Sequence, residues 1–196
     1  MREKTRSFDG FTVVELLVVI AIILVLAGLV LATSGYVQNK GRRARAEAEI
    51  AAMSAALENY KADNGIYPRG NVNLSSTTPY DTDRLNAKVD VNSDPTVANS
   101  KYLPAGVYLF IQIAGSNANQ TPIAGGKAYF TFKPLMMGGT INGAGTVTHV
   151  RDPFGYCYGY STSNQNAPSA GYNPTYDLWS TGGNTAGDRT QWIKNW

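Results

Sequence analysis

The chain has 196 residues, of which 43% are hydrophobic and 16% are charged, and its formal net charge is +3. So small a positive charge, with no basic run beyond residues 40–45, argues against a nucleic-acid-binding protein. The single cysteine, Cys157, excludes an intramolecular disulfide and a cysteine metal cluster, and the single histidine, His149, argues against histidine-ligated metals and a Ser-His-Asp triad.

An apolar segment of 22 residues, Phe11–Ala32, follows a short polar stretch over residues 1–10. As a helix this segment would span about 33 Å, which matches the hydrocarbon core of one bilayer. We therefore predict a membrane-spanning segment here, with one carboxylate, Glu15, near its start. The alternative is a secretory signal peptide, for which "VLA" at residues 30–32 would provide the small-residue cleavage site.

The pattern predicts that the helix continues as an amphipathic half over residues 33–65. This stretch is rich in Ala, Glu, Arg and Leu, which favour helix. Asn64-Gly65 then ends the helix, and Pro68 prevents it from resuming. Apolar residues recur at helical spacing along one face, which must therefore pack against the rest of the chain. They are Ile50, Met53, Leu57 and Tyr60.

The remainder of the chain is predicted to form strands and loops. Residues 66–100 are polar and rich in Asn, Asp, Ser and Thr, which is typical of a variable loop. Residues 101–196 are predicted to form a globular domain built on an antiparallel β-sheet, ending in a C-terminal loop. The strand-like stretches in it are Val107–Ile113 and residues 127–135, 145–150, 152–161 and 175–181.

Aromatic residues concentrate in this last part of the chain. Tyr156, Tyr158 and Tyr160 alternate, which predicts that they share one face of a strand. All three tryptophans lie within the last eighteen residues, so we expect the C-terminal tail to pack on the domain. The fold class that follows is α+β, with a long N-terminal helix packed on a C-terminal antiparallel sheet.

The start of the chain carries a combination of residues that points to one family. The sequence "DGFTVVELLVVIAIILVLAGLV" places Gly10, Phe11 and then Glu15 at the head of the apolar run. It resembles the N-terminal cleavage and methylation signal of type IV pilins and type II secretion pseudopilins. The resemblance implies that prepilin peptidase cuts between Gly10 and Phe11, that residues 1–10 are the leader peptide, and that Phe11 is then N-methylated.

Two further stretches resemble the major pseudopilin of type II secretion. They are "ALENYKADNGIYP" at residues 56–68 and the closing pattern "DPFGYCYGY", "YDLWSTGGN" and "IKNW". The resemblance implies a pilin-like fold and a structural subunit, not an enzyme. The subunit would sit in the inner membrane as a single span, with its leader cytoplasmic and its C-terminal domain periplasmic. It would then join a periplasmic filament with copies of itself, other pseudopilins and an inner-membrane assembly platform.

The chain departs from this family at two places. Position 32, where the family commonly has proline, is Ala32. The family's C-terminal loop binds calcium, and the candidate ligands here are Ser180, Asn184 and Asp188. Calcium prefers six to eight oxygens including several carboxylates, which this loop lacks. We therefore expect no required cofactor, and calcium binding that is weak if it occurs.

Glu15 is the residue with the clearest mechanistic interpretation. A carboxylate in hydrocarbon costs several kcal/mol unless it is paired or near the interface. Cleavage after Gly10 would create a cation close by, the new α-amino group of Phe11. In a filament, Glu15 of one subunit could neutralise the amine of its neighbour. The alternative is a glutamate that reaches the headgroup region and has no role in assembly.

Two other functions remain open at this point. A type IV pilin for adhesion, motility or DNA uptake would carry the same N-terminal segment, although the single Cys157 cannot form the C-terminal disulfide that major pilins often have. A membrane-anchored module could instead bind carbohydrate through the aromatic C-terminal surface. An enzyme is disfavoured, because no nucleophile and base occur together and Asp152, Asp177 and Asp188 are expected to be turn or loop residues.

Overall fold

A computed structural model describes residues 10–70, 81–139 and 143–196, apart from the side chains of residues 32 and 33. The leader residues before Gly10 and part of the predicted variable loop lie outside the described residues. The chain divides into two compact units between Gly41 and Arg42. The α+β class is confirmed, with a long N-terminal apolar helix followed by antiparallel sheets.

The first element is one helix, α1, which spans Val13–Asn64 and contains 52 residues. It passes through position 32 without interruption, so the absence of proline there coincides with an unbroken helix. Among the described residues it is the one helix long and apolar enough to cross a membrane. It ends as predicted, because Gly65 takes a φ of +77° and its N–H donates to the Lys61 carbonyl at 2.7 Å.

The second half of α1 buries its predicted apolar stripe. Ile50, Met53 and Leu57 are fully or almost fully buried in the main hydrophobic core, together with residues from the later elements. The same face also buries one carboxylate, Glu49, which accepts hydrogen bonds from the Tyr158 hydroxyl at 2.8 Å and from Arg45 at 2.7 Å. The amphipathic half of the helix is thereby held in the globular unit by both packing and hydrogen bonds.

The predicted strand Val107–Ile113 is wrong, because this stretch belongs to a second helix, α2, Tyr102–Ala114. Its β-branched and aromatic residues favour strands, but burial follows a helical period and Gly115 ends the helix with a φ of +63°. Pro104 is tolerated because it lies in the first turn, where a backbone N–H has no partner within the helix. The buried positions are Tyr102, Ala105, Gly106, Val107, Leu109, Phe110 and Ile113.

The strands form two small antiparallel sheets. In the first, β1 (Met137–Gly138) pairs with β2 (His149–Val150). In the second, β4 (Asp177–Ser180) is the central strand, between β3 (Gly159–Ser161) and β5 (Ile193–Lys194). A short helix, α3, Ser163–Asn166, follows β3, and two 3-10 turns cover Pro134–Met136 and Arg189–Gln191.

The strands are shorter than the sequence predicts. Residues 127–133 form no strand. The N–H groups of Tyr129 and Phe130 both donate to the Ile113 carbonyl, and these two hydrogen bonds hold the segment against the end of α2. Its aromatic side chains pack on α2 without a ladder, as in the Phe110–Phe132 contact, with ring centroids 5.0 Å apart.

Only parts of the other strand-like stretches form strands. Residues 145–150 contribute only β2, and 152–161 contribute only β3. Tyr156 lies in a bend stabilised by the Asp152 carboxylate, so it does not share a strand face with Tyr160. The predicted strand over residues 175–181 is confirmed as β4.

The C-terminal tail is tied to the globular unit, as the tryptophans predict. The fully buried Trp179 stacks on Trp192, with ring centroids 5.9 Å apart, and meets Trp196 edge-on at the same distance. Gly159, opposite Trp179 in the β3–β4 ladder, leaves room for the indole, because a methyl group at this position would overlap the ring. The last strand and the tryptophan side chains therefore anchor the tail together.

Acidification is expected to destabilise the globular unit through His149. This residue is 6% exposed, and burial, with a smaller effect from Arg151, lowers its pKa from 6.5 to about 4. Below pH 6.5 the unfolded chain binds a proton before the folded chain does. The stabilisation is therefore complete above that pH, and it falls by about 3 kcal/mol as the pH drops to 4. Urea unfolding of the full chain at several pH values measures how the free energy of unfolding depends on pH.

The control variant is His149→Asn. Its free energy of unfolding should lack the pH dependence that His149 causes in the unmodified chain. Buried carboxylates such as Asp152 also titrate in acid, but they contribute equally to both proteins. Equal slopes of unfolding free energy against pH for the two proteins would contradict the role of His149.

Candidate functional site

The N-terminus of α1 is organised by a capping box between Thr12 and Glu15. The Glu15 carboxylate accepts hydrogen bonds from the Thr12 backbone N–H at 2.8 Å and from its hydroxyl at 2.7 Å. In return, the Glu15 N–H donates to the Thr12 hydroxyl oxygen at 3.2 Å. Thr12 precedes the first helical residue, and Glu15 is the third residue of the helix, which is the spacing of a capping box.

Thr12 is the residue of this site that the sequence analysis missed. The pattern T-x-x-E before an apolar run would have identified it. The structure gives Glu15 a partner within its own chain before any second subunit is considered. Its carboxylate is therefore held at the end of the helix and oriented by Thr12.

The predicted cleavage position lies directly before this cap. Gly10 and Phe11 have no helical or strand structure, and both are exposed. Among the described residues, none beyond its chain neighbours comes within 4 Å of a Cβ atom placed at Gly10. Phe11 is 83% exposed. The described residues of this junction are thus accessible, as a peptide bond must be to enter a protease active site.

The first unit displays an unusually large apolar surface. Every large apolar side chain between Val13 and Leu31 is at least 49% exposed. No charged residue lies between Glu15 and Lys40. Soluble monomers rarely expose an apolar surface of this extent, so it must be covered by lipid or by other protein. Such a surface suits both a bilayer and a bundle of like helices.

The three candidate calcium ligands each have local partners. The buried Ser180 hydroxyl donates to Asp152 at 2.5 Å, and the Asn184 side-chain oxygen accepts from the Ala186 N–H at 3.0 Å. Asp188 accepts from the backbone N–H and hydroxyl of Thr190. No group of three or more His, Cys, Asp and Glu that could hold a metal occurs among the described residues. Calcium binding here stays a prediction without geometric support.

The aspartates of the C-terminal domain organise the backbone. Asp152 accepts from the N–H groups of Phe154 and Tyr156, each at 2.9 Å. Asp177 lies on β4, not in a loop, but its carboxylate accepts from the N–H groups of Tyr172 and Asn173 in the preceding loop. Burial raises the pKa of both carboxyl groups. Their oxygens are used in turn formation.

The aromatic residues that suggested carbohydrate binding are mostly internal. Tyr158, Tyr160 and Trp179 are fully buried. Among the described aromatic residues after residue 151, Tyr172 is the most exposed, at 40%. It stacks on Trp196, with ring centroids 4.6 Å apart. Most of these aromatic rings therefore pack inside the globular unit and are not available on its surface to bind a sugar.

Comparisons with known proteins agree on the N-terminal region. Residues 5–31 match the prokaryotic N-terminal methylation motif. The chain is 43% identical over 72 residues to type II secretion system core protein G of Escherichia coli, covering 37% of this chain and 50% of that protein. The proteins of the same name from Vibrio cholerae and Pseudomonas aeruginosa are 36% and 38% identical over 66 and 65 residues.

These matches cover 34% and 33% of this chain, and 45% and 46% of the two relatives. The chain thus spans about half the length of the curated relatives it matches. No solved structure gives a significant match.

Proposed function

We propose that this chain, which resembles type II secretion core protein G over its N-terminal region, is a structural subunit of a type II secretion pseudopilus. The observation that carries the proposal is the exposed apolar half of α1, headed by Gly10, Phe11 and Glu15 and lying within the methylation motif. In this role the subunit performs no catalysis and requires no cofactor.

Before assembly, the apolar half of α1 anchors the chain in the bacterial inner membrane. The leader lies in the cytoplasm, where prepilin peptidase cuts after Gly10 and N-methylates Phe11. The globular unit lies in the periplasm. Membrane lipid covers the exposed side chains of the helix in this state.

Assembly then exchanges lipid for protein around the same helix surface. The apolar halves of neighbouring subunits form the interior of a periplasmic filament, with other pseudopilins and an inner-membrane assembly platform as partners. Cleavage creates the Phe11 amine, and Glu15 of a neighbouring subunit neutralises it. Thr12 orients Glu15 for this pairing, since its hydroxyl and N–H already hold the carboxylate. A desolvated ion pair of this kind is costly to break from either side.

Analysis of the mature N-terminus tests the proposal. The full chain is produced with a prepilin peptidase, purified from membranes and examined by mass spectrometry. We expect a chain that begins with methylated Phe11. Gly10→Val should stay uncut, whereas Gly28→Ala, which changes a glycine in open space within α1, should be processed normally.

Other N-termini would contradict the proposal. A mature chain that starts at Thr33 would be an ordinary secreted protein, and one that retains Met1 would be an unprocessed membrane anchor. If processing is as expected but deletion of the gene leaves protein export intact and removes surface pili, the chain is a type IV pilin. A glycan array probed with the full chain in detergent tests the carbohydrate-binding alternative, for which we expect no binding.

A further inference from the structure

The C-terminal loop between β4 and β5, residues 181–192, is closed at its base by an arginine from α1. The Arg43 guanidinium donates from Nη1 to the Gln191 carbonyl at 2.8 Å. Gly182, near the other end of the loop, lies against the same carbonyl, because a Cβ atom placed there would stand 2.5 Å from the Gln191 oxygen and 3.4 Å from Arg43 Nη1. Its φ of +64° also favours glycine. Arg43 therefore joins the two ends of the loop.

A second arginine, Arg189, holds the later part of the same loop. Its Nε donates to the Ala87 carbonyl at 3.2 Å, and its Nη2 donates to the Lys88 carbonyl at 2.5 Å. The guanidinium also lies over the Trp192 ring, with its carbon 5.5 Å from the ring centroid. The two guanidinium groups thus bind three backbone carbonyl oxygens, one in the loop and two in the segment before α2.

Calcium, the ion that the family resemblance implies for this loop, does not fit the residues present. Ca²⁺ takes six to eight oxygens, several of them from carboxylates. Ser180 and Asn184 already have the hydrogen-bond partners described above, and the Ser180 hydroxyl oxygen in addition accepts from the Gly182 N–H at 3.0 Å. Asp188 is the one carboxylate of the loop, and the cation of Arg189 follows it directly. Neither the available oxygens nor the charge of the loop suits a divalent cation.

We propose that Arg43 and Arg189 hold the C-terminal loop in place of a divalent cation, so that the order of this loop does not depend on calcium. Backbone carbonyl oxygens are common calcium ligands, and they also accept hydrogen bonds from guanidinium groups, which carry five N–H donors in a fixed plane. A guanidinium stays charged and is part of the chain, so a chelator does not remove it. The proposal concerns the globular unit alone and is independent of the proposed function in assembly.

Hydrogen–deuterium exchange of the full chain in detergent, followed by mass spectrometry on peptides that cover residues 181–192, tests whether calcium orders the loop. The chain is measured in EGTA and in calcium chloride at about 10 mM, which exceeds the roughly 1 mM dissociation constants of the weakest extracellular calcium modules. Magnesium chloride at the same concentration is the control for added salt. We expect the same exchange rates in all three solutions. Slower exchange of the loop in calcium alone would overturn the proposal.

Substitution of the arginines tests what holds the loop instead. Arg43→Met keeps most of the length of the side chain but removes its charge and its donors, so exchange of the loop peptides should become at least about tenfold faster. Added calcium should not slow this exchange. Arg42→Met, which changes the exposed preceding residue of α1, should exchange as the unmodified chain does.

A second variant and a second group of peptides separate opening of the loop from unfolding. Peptides of α2 should keep their exchange rates in Arg43→Met, because only the loop loses its attachment. Arg189→Met, which keeps Arg43, should also speed exchange of the loop, and it tests the proposal even if Arg43→Met does not fold. Unchanged exchange of the loop in either folded variant would overturn the proposal.

Discussion

Glu15→Ala is expected to abolish filament assembly while leaving the chain inserted in the membrane. Insertion depends on the apolar residues of α1, and removing a carboxylate from the segment only favours it. In the proposed filament, the Phe11 amine of each subunit lies in the interior, where an amine without its carboxylate is strongly unfavourable. Membrane fractionation measures insertion, and electron microscopy of sheared filaments measures assembly.

Three comparison variants identify which property of Glu15 matters. Glu15→Gln retains an oxygen that Thr12 can hold but has no charge, so it should also fail to assemble. Thr12→Val removes the capping hydroxyl, which is worth about 1 kcal/mol, and should reduce assembly only modestly. Glu47→Ala, an exposed acid in the globular half of α1, should assemble normally. Normal filament yield from Glu15→Ala or Glu15→Gln would contradict the charge-pairing role.

Trp179→Ala is expected to lower the free energy of unfolding of the globular unit by about 4 kcal/mol. The indole is fully buried, contacts the rings of Tyr102, Trp192 and Trp196, and lies against Gly159. Its removal leaves a void among rigid aromatic rings that cannot close on one another. Urea unfolding of the full chain, followed by near-ultraviolet circular dichroism, measures the loss.

Tyr172→Ala is the matched control for this cluster. Tyr172 stacks on Trp196 at the edge of the same aromatic group, but it is 40% exposed, so its truncation should cost less than about 1 kcal/mol. If the two substitutions destabilise the chain equally, Trp179 is not the centre of this core. A change in the denaturant dependence for Trp179→Ala alone would instead indicate loss of cooperative folding.

The long helix could be predicted because all of its determinants are local. An apolar run of bilayer length, a stripe at helical spacing and a terminal Asn-Gly are each visible within a few turns of sequence. The structure places the end of α1 at Asn64, as the pattern indicates. The motif that contains Gly10, Phe11 and Glu15 is also contiguous, and its match over residues 5–31 follows from local sequence.

The second helix could not be recognised from residue type alone. The run from Val107 to Ile113 has the composition of a strand. It forms a helix because the helical conformation buries one side of it against residues of α1, β2 and β3, which are distant in the sequence. Conversely, the alternating aromatic residues at 127–133 pack as individual side chains around the end of α2. Tertiary packing overrides local preference at both places.

The buried Cys157 has a practical consequence for mapping subunit contacts. Its side chain is fully buried, and burial raises the pKa of its thiol far above the ordinary range, so the reactive thiolate is scarce at neutral pH. Thiol cross-linkers should therefore leave the native chain unmodified. Cysteines introduced at exposed positions of α1, such as Leu29 or Val37, could then report neighbouring subunits in an assembled filament without prior removal of the native residue.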